Sequence, residues 1–132
     1  MIDPQLKYTT EHEWVRLLEG GVAEVGITDF AQEQLGEIVF VDQLEEGKEV
    51  KKGDFLCTLE SIKTVSDMYA PVSGRIIAIN PAVCDGNPQF APELINKAPY
   101  TEGWIARLVM SEPSQVDDLL DDSAYQKLIE AE

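Results

Sequence analysis

The sequence is poor in the residues that usually carry catalysis. Its 132 residues contain one histidine, His12, and two cysteines, Cys57 and Cys84. A single histidine cannot anchor a zinc or iron site of ordinary ligand spacing, and it leaves little scope for a Ser–His or Cys–His pair. The glycine-rich phosphate loops GxxxxGK and GxGxxG are absent as well. The composition therefore favours a carrier or binding module over an enzyme, and it predicts no metal site.

Basic residues and long apolar runs are also scarce. Ten Lys and Arg stand against 25 Asp and Glu, a formal net charge of −15. Such a charge repels phosphate groups and therefore argues against nucleic acid and anionic membranes as partners. No apolar run approaches the roughly 20 residues that span a bilayer, and the N-terminus lacks a signal pattern. Two isolated cysteines favour a reducing compartment. We expect a cytoplasmic, monomeric protein.

What the sequence does have is a normal share of hydrophobic residues, 44%, arranged in short runs. Residues 13–18 and 22–27 flank Gly20-Gly21 and predict a β-hairpin. Residues 37–44 are apolar on both faces, which predicts a buried strand. Further strands are expected at 55–61, where Cys57 lies in the core, and at 75–79 and 104–109. Short strands separated by Gly and Pro turns indicate a mainly β barrel or sandwich.

Helical signals lie at two places. In residues 28–36, Thr28 or Asp29 is suited to cap a short helix and Gly36 to end it. The acidic C-terminal segment predicts two helices, one capped by Ser114 and one opened by a capping box from Ser123 to Gln126. The last helix is expected to face inward through Tyr125, Leu128 and Ile129. Between these places, residues 80–103 hold four of the seven prolines and predict an irregular excursion.

One lysine, Lys63, falls where a tight hairpin is expected. A lysine on a hairpin tip is most often only a solvated charge. Its flanks, however, are not those of a flexible charged loop: Glu60, Ser61, Ile62, Thr64, Val65, Ser66 and Asp67. We expect Ile62 and Val65 to pin the turn, and Ser66 and Asp67 to hydrogen-bond its backbone. A rigid turn that presents one amine to solvent suits a modifying enzyme and a carrier of a tethered cofactor.

The lysine hairpin is one of seven segments that, taken together and in order, form a pattern over nearly the whole chain. They are LKYTTEHEWVR (6–16), VGITDFAQEQLGEIVFVDQ (25–43), GKEVKKGD (47–54), ESIKTVSDMYAPVSG (60–74), PELIN (92–96), PYTEGW (99–104) and DLLDDSAYQKLI (118–129). This pattern resembles the H protein of the glycine cleavage system, a lipoyl carrier. Biotin carriers typically flank their lysine with methionines, which Ile62 and Thr64 do not match.

The resemblance implies a fold and a cofactor. The fold would be a flattened lipoyl-domain-type β-barrel or sandwich of two antiparallel sheets, with the lysine on an exposed hairpin and a few short helices. A single domain would span residues 1–132, with its core at about 13–110 and C-terminal helices at about 114–130. Lys63 would be amide-linked to lipoate by a lipoate-attaching enzyme, and the protein itself would be non-catalytic.

The resemblance also implies partners. The lipoyl arm would carry an aminomethyl group between glycine decarboxylase, aminomethyltransferase and dihydrolipoamide dehydrogenase. In this family the loaded arm folds into a cleft, where Glu13 and Asp67 are candidates to meet the charge of the amine. Two ordinary alternatives stay open at this point: Glu13 as a surface strand carboxylate, and Asp67 as a carboxylate that stabilises the turn.

Some positions depart from the family pattern. The loop at 84–92 is longer than expected, and Glu11, Phe30 and Gln34 replace more usual residues near the proposed cleft. Cys84 in that loop is a packed or free thiol, or a thiol that reaches the lipoyl sulfurs. These departures keep other functions open: an H-like lipoate-binding protein that carries sulfur intermediates for a heterodisulfide-reductase-like complex, a lipoate relay, or an unmodified binding module that docks through its acidic face.

Overall fold

Two antiparallel sheets form the architecture, which the computed structural model describes for residues 6–132. The strands are β1 (Lys7–Tyr8), β2 (Glu13–Leu18), β3 (Val22–Ile27), β4 (Ile38–Asp42), β5 (Glu49–Val50), β6 (Phe55–Ser61), β7 (Val65–Tyr69), β8 (Gly74–Ile79) and β9 (Ala106–Met110). One sheet has the order β1-β2-β3-β9-β8-β5 and the other β4-β6-β7. This flattened, mainly β sandwich confirms the predicted fold class. Residues 1–5 of the predicted domain lie outside the described part.

Short helices decorate the sheets. They are α1 (Asp29–Leu35), α2 (Leu94–Lys97) and α3 (Asp122–Glu130), with 3-10 turns at Glu19–Gly21, Pro81–Val83 and Pro113–Asp118. The Thr28 side chain caps α1 by accepting from the Ala31 amide at 3.2 Å, and Gly36 ends it with φ 83°. The predicted cap at the start of α1 and the predicted glycine at its end are therefore both confirmed. Within residues 6–132, no helix is long and apolar enough to cross a membrane.

The predicted caps of the C-terminal segment are wrong. Ser114 lies inside the 3-10 turn, which no side chain caps. Helix α3 is capped by Asp121, whose carboxylate accepts from the Ala124 amide at 2.8 Å, so Ser123 lies within the first turn. Asp121 precedes the predicted start by two residues and is itself a strong N-cap type. The inward face is as predicted, with Tyr125 only 1% exposed.

The predicted hairpin at 13–27 and the predicted strand at 55–61 are both present. Strands β2 and β3 pair along their full length around Gly20 and Gly21, which have φ near 75°. In β6, the register shifts between Phe55 and Cys57, and Leu56 and Cys57 are both completely buried. A bulge explains this departure from simple alternation, because the extra residue turns two neighbouring side chains inward.

Strand β4 corrects the prediction of a buried strand at 37–44. It is an edge strand of the three-stranded sheet, paired only with β6. Ile38 is buried, but Phe40 is 39% exposed, so one face of the strand meets solvent. Apolar residues on both faces of a strand predict burial only when the strand lies inside a sheet.

Two apolar clusters stabilise the fold. The main core fills the space between the sheets with side chains that include Val15, Val25, Ile38, Leu56, Met68, Ile76 and Leu108. The smaller cluster packs α3 against β1 and β2 through Leu6, Tyr8, Trp14 and Tyr125. Tyr8 and Tyr125 stack with ring centroids 4.5 Å apart. The C-terminal helix is thus attached to the same strands that lead into the site described next.

Candidate functional site

Lys63 lies exposed in the turn between β6 and β7, as the sequence predicts. The turn is closed by Ser61, whose amide donates to the Thr64 carbonyl at 2.8 Å. The Ser61 hydroxyl also accepts from the amides of Lys63 and Thr64 at 3.3 and 3.1 Å. The Ser61 side chain therefore fixes the backbone conformation at Lys63.

The expectation that Ile62 and Val65 hold this turn in place by apolar packing is wrong. Ile62 and Val65 are 70% and 61% exposed and contribute little packing. Asp67 accepts from the Thr58 hydroxyl across the strand pair at 3.2 Å, rather than from the turn backbone. The neighbouring Asp42 carboxyl group of β4 raises the pKa of Glu60 through a hydrogen bond between the two side chains.

A second anchor comes from the segment that follows α1. The Ile62 amide donates to the Glu37 carbonyl at 3.0 Å. The aliphatic stem of Lys63 crosses Gly36, where an added Cβ would lie 3.1 Å from the Lys63 Cε. At φ 83° this position also favours glycine on backbone grounds. Gly36 thus both ends α1 and leaves space for the lysine stem.

Asn96 of α2 joins the elements beneath the lysine. Its side-chain oxygen accepts from the Ile38 amide at 2.8 Å, and its nitrogen donates to the Gly36 carbonyl at 2.8 Å and to Gln32 at 2.9 Å. Sequence reasoning missed Asn96, although it ends the PELIN segment. Its partners lie about 60 residues away in the chain, so no local pattern reveals them.

A cleft of about 230 Å³ opens beside α1 and brings together both predicted carboxylates, Glu13 and Asp67. Its other lining residues are Glu11, His12, Ile27, Ala31, Gln34, Leu35, Leu59, Ser66 and Met68. Asp67 is exposed on β7. Glu13 is only 3% exposed, so the alternative of a surface carboxylate is wrong.

Each of the two carboxylate oxygens of Glu13 accepts a hydrogen bond. Thr9 donates to one at 2.7 Å, and the Tyr69 amide donates to the other at 3.1 Å. Burial raises the pKa of Glu13, and these two hydrogen bonds offset part of that shift. Because a carboxylate offers about four acceptor sites, it retains capacity for a further donor. A cationic amine in the cleft would meet a desolvated carboxylate that has no positive partner among residues 6–132.

His12 forms part of the cleft wall and is braced by α3. Its backbone has φ 68°. Its Nδ1 hydrogen-bonds the Tyr125 hydroxyl at 2.9 Å, and its Nε2 lies 3.2 Å from the Glu132 carboxylate. Tyr125 also hydrogen-bonds Thr28 at 2.7 Å, and burial raises the pKa of Tyr125 to about 12. These contacts fix the residue that immediately precedes Glu13.

The cysteines lie apart from the cleft lining. Cys84 lines a different cavity, together with Val41 and Asp85, and its thiol donates to the Asn80 carbonyl at 3.5 Å. Desolvation raises the pKa of Cys84, which favours its thiol form. Cys57 is completely buried, as predicted, and burial raises its pKa to about 12. Residues 6–132 contain no group of three or more His, Cys, Asp or Glu arranged to bind a metal.

Comparison with known proteins agrees with this geometry. The sequence profile of the family "Glycine cleavage H-protein" matches residues 6–132. The glycine cleavage system H protein of Symbiobacterium thermophilum is 48% identical over 94% of this chain and 92% of its own length. That of Salmonella typhimurium is also 48% identical, over 99% and 98%.

A solved structure shows the same architecture. The crystal structure of a glycine cleavage system H protein from Mycobacterium marinum superimposes with a TM-score of 0.82 at 36% identity, covering 98% of this chain and 99% of that one. Sequence and structure agree over nearly the full length, and the chain belongs to the glycine cleavage H-protein family.

Proposed function

We propose that this chain is the lipoyl carrier of a glycine cleavage system, with lipoate amide-linked to Lys63. The observation that carries the proposal is the placement of Lys63 on an exposed turn, closed by Ser61 and anchored to Glu37, in a chain of this family. A fixed turn presents the amine to an attaching enzyme at a low cost in conformational entropy. The lysine is the attachment point, and the chain itself is non-catalytic.

The residues around Lys63 suit such a group. When attached, lipoate supplies a disulfide that takes up and releases the one-carbon amine fragment of glycine. Glu13 and Asp67 line a cleft beside the hairpin and offer negative charge to that amine. Leu35, Leu59 and Met68 in the lining reduce the access of water, which strengthens the attraction between charges. The neutral, unloaded arm gains no such attraction.

The partners we propose follow from this role. They are a lipoate-attaching enzyme, glycine decarboxylase, aminomethyltransferase and dihydrolipoamide dehydrogenase, and we place the protein with them in the cytoplasm. A tethered arm raises the local concentration of its group at each active site. The matched family and relatives are named for glycine cleavage, and nothing here favours the sulfur-carrier or lipoate-relay alternatives.

Intact mass after incubation with lipoate ligase, ATP and lipoate tests the attachment site. The wild-type chain should gain one lipoyl mass, and Lys63→Arg should gain none. Lys97→Arg is the matched control and should be modified like the wild type, since it removes another exposed lysine near the hairpin. A lipoyl mass on Lys63→Arg would show that the proposed site is wrong.

A further inference from the structure

A second groove, separate from the cleft, begins directly under Lys63. Its near part, of about 310 Å³, is lined by residues that include Gly36 and Asn96. Its far part, of about 440 Å³, is lined by residues that include Val39, Phe90 and Pro92. Glu37, Glu93 and Lys97 line both parts, so the two adjoin each other. We call the whole the Phe90 groove; neither Glu13 nor Asp67 lines it.

The lysine stem lies against the near end of this groove. The methylenes of Lys63 pass over Gly36, with its Cγ, Cδ and Cε all within 3.7 Å of the position that a Cβ on Gly36 would take. Gly36 is the wall residue at the near end. An acyl group extended from the Lys63 nitrogen therefore starts at the entrance of the groove.

The far end offers apolar contacts at a suitable distance. Val39 lies three residues beyond Gly36, so the two are at most about 10 Å apart. From the lysine nitrogen, a lipoyl group reaches its nearer sulfur across seven bonds of about 1.5 Å each, an extent of about 9 Å after allowing for bond angles. Phe90 is half-buried there and stacks on Phe40 at 6.1 Å. Sulfur packs favourably against aromatic rings.

We propose that the oxidised, uncharged lipoyl arm rests in the Phe90 groove, with its dithiolane against Phe90 and Val39. This inference rests on the proposed lipoylation of Lys63. The cationic, loaded arm is attracted to Glu13 and Asp67 in the cleft. The neutral arm lacks that attraction and is free to take the groove that its lysine stem already borders. Phe90 is a positioning residue for the resting arm.

The test is the rate at which a small water-soluble phosphine reduces the dithiolane of the lipoylated protein, with lipoylation first verified by mass. Phe90→Ala should speed reduction roughly two- to tenfold, because the loss of an S–aromatic contact releases the arm to solvent. Tyr69→Ala is the matched control, since it removes another partly exposed aromatic that does not line the groove, and it should leave the rate unchanged.

A second readout needs no variant. Lipoylation of the wild-type chain should shift the aromatic ¹³C and ¹H resonances of Phe90 more than those of Tyr69. Equal reduction rates for all three proteins, or unshifted Phe90 resonances, would overturn the groove as the resting site. Absence of a lipoyl mass at Lys63 would instead overturn the proposed function and the inference with it, so the two failures are distinguishable.

Discussion

Glu13 is the residue whose chemistry departs furthest from that of a surface carboxylate. It is the first residue of β2 and is buried, and its pKa is raised by desolvation. Within residues 6–132 its hydrogen-bond donors are the neutral Thr9 hydroxyl and Tyr69 amide. Burial therefore makes the charged form of this carboxyl group less favourable than it is in water. A cationic amine entering the cleft would relieve that cost, which gives the loaded arm a reason to bind there.

This raised pKa predicts a specific pH dependence of stability. A carboxyl group whose pKa is higher in the folded state favours folding below its unfolded pKa, near 4.5, and loses that contribution as pH rises through the folded pKa. The stability of the wild type minus that of Glu13→Gln should therefore fall as pH rises from about 4 upward. Urea unfolding of both proteins across this range measures the difference. A difference that stays flat or rises with pH would contradict the account.

Ser61 is the residue expected to control presentation of the lysine. Replacing it with Ala removes an acceptor for two turn amides, and because those amides are exposed, water replaces the bonds at a cost of about 0.5–1 kcal/mol. We expect Ser61→Ala to lower kcat/KM for lipoylation several-fold through a less ordered turn. Ser66→Ala, one residue into β7, is the control; an equal loss in both variants would exclude a special role for Ser61.

At the level of secondary-structure elements, α2 and α3 each anchor a different part of the site. Asn96 ties the end of α1 to the start of β4, and Tyr125 ties α3 to Thr28 and His12. The two helices are short, but each supplies a polar side chain that satisfies several groups at once. They fix Gly36 under the lysine and His12 in the cleft wall.

Asn96→Ala tests the first brace. It leaves the Ile38 amide and the Gly36 carbonyl without their partner, so we expect a loss of about 1–3 kcal/mol in the free energy of unfolding. Chemical denaturation measures it. Asn87→Ala, which removes a single acceptor in an exposed loop turn, should cost less than half as much. Equal losses would show that Asn96 does not join the elements as described.

Tyr125→Phe tests the second brace. The substitution keeps the stacking on Tyr8 but removes the hydroxyl that bonds Thr28 and His12, and we expect a loss of about 1–2 kcal/mol. The His12 ring resonances should also shift in NMR spectra, since the Nδ1 partner is lost. Unchanged stability together with unchanged His12 resonances would contradict the proposed bracing.

The elements also show what the sequence could and could not predict. The Thr28 cap, the Gly20-Gly21 hairpin and the burial of Cys57 follow from local patterns, and all were predicted. The exposure of β4 was not, because an edge position is decided by which strands pair across the sheet. At the site, the exposed turn that carries Lys63 also followed from the local pattern, whereas the cleft residues Glu13 and Asp67 came from the family resemblance. Asn96 was missed because its contacts join distant parts of the chain.

At the scale of the whole molecule, the acidic charge dominates. Two of the three arginines, Arg16 and Arg107, are bound to the buried Glu24 at 2.8 and 2.9 Å. Amidation of Lys63 would remove one of ten basic charges and move the formal charge from −15 to −16. The carrier would then present a neutral arm on a strongly negative surface, which suits brief docking onto basic rims of larger enzymes.

Such docking should weaken with salt. We expect KM of the carrier for a partner enzyme to rise several-fold between about 0.02 and 0.2 M NaCl, while kcat changes little, because screening affects encounter more than chemistry. Steady-state kinetics with lipoylated protein measures both constants. A KM independent of salt would show that the acidic surface does not guide docking.

Lipoate on Lys63 would make this chain a working carrier for glycine cleavage. Glycine-dependent exchange of labelled bicarbonate, catalysed by glycine decarboxylase in the presence of this chain, tests that role. Lipoylated wild type should stimulate the exchange strongly and saturably, while lipoate-treated Lys63→Arg, which keeps the charge and the exposed turn, should not. Full stimulation by Lys63→Arg, or none by the lipoylated wild type, would contradict the account.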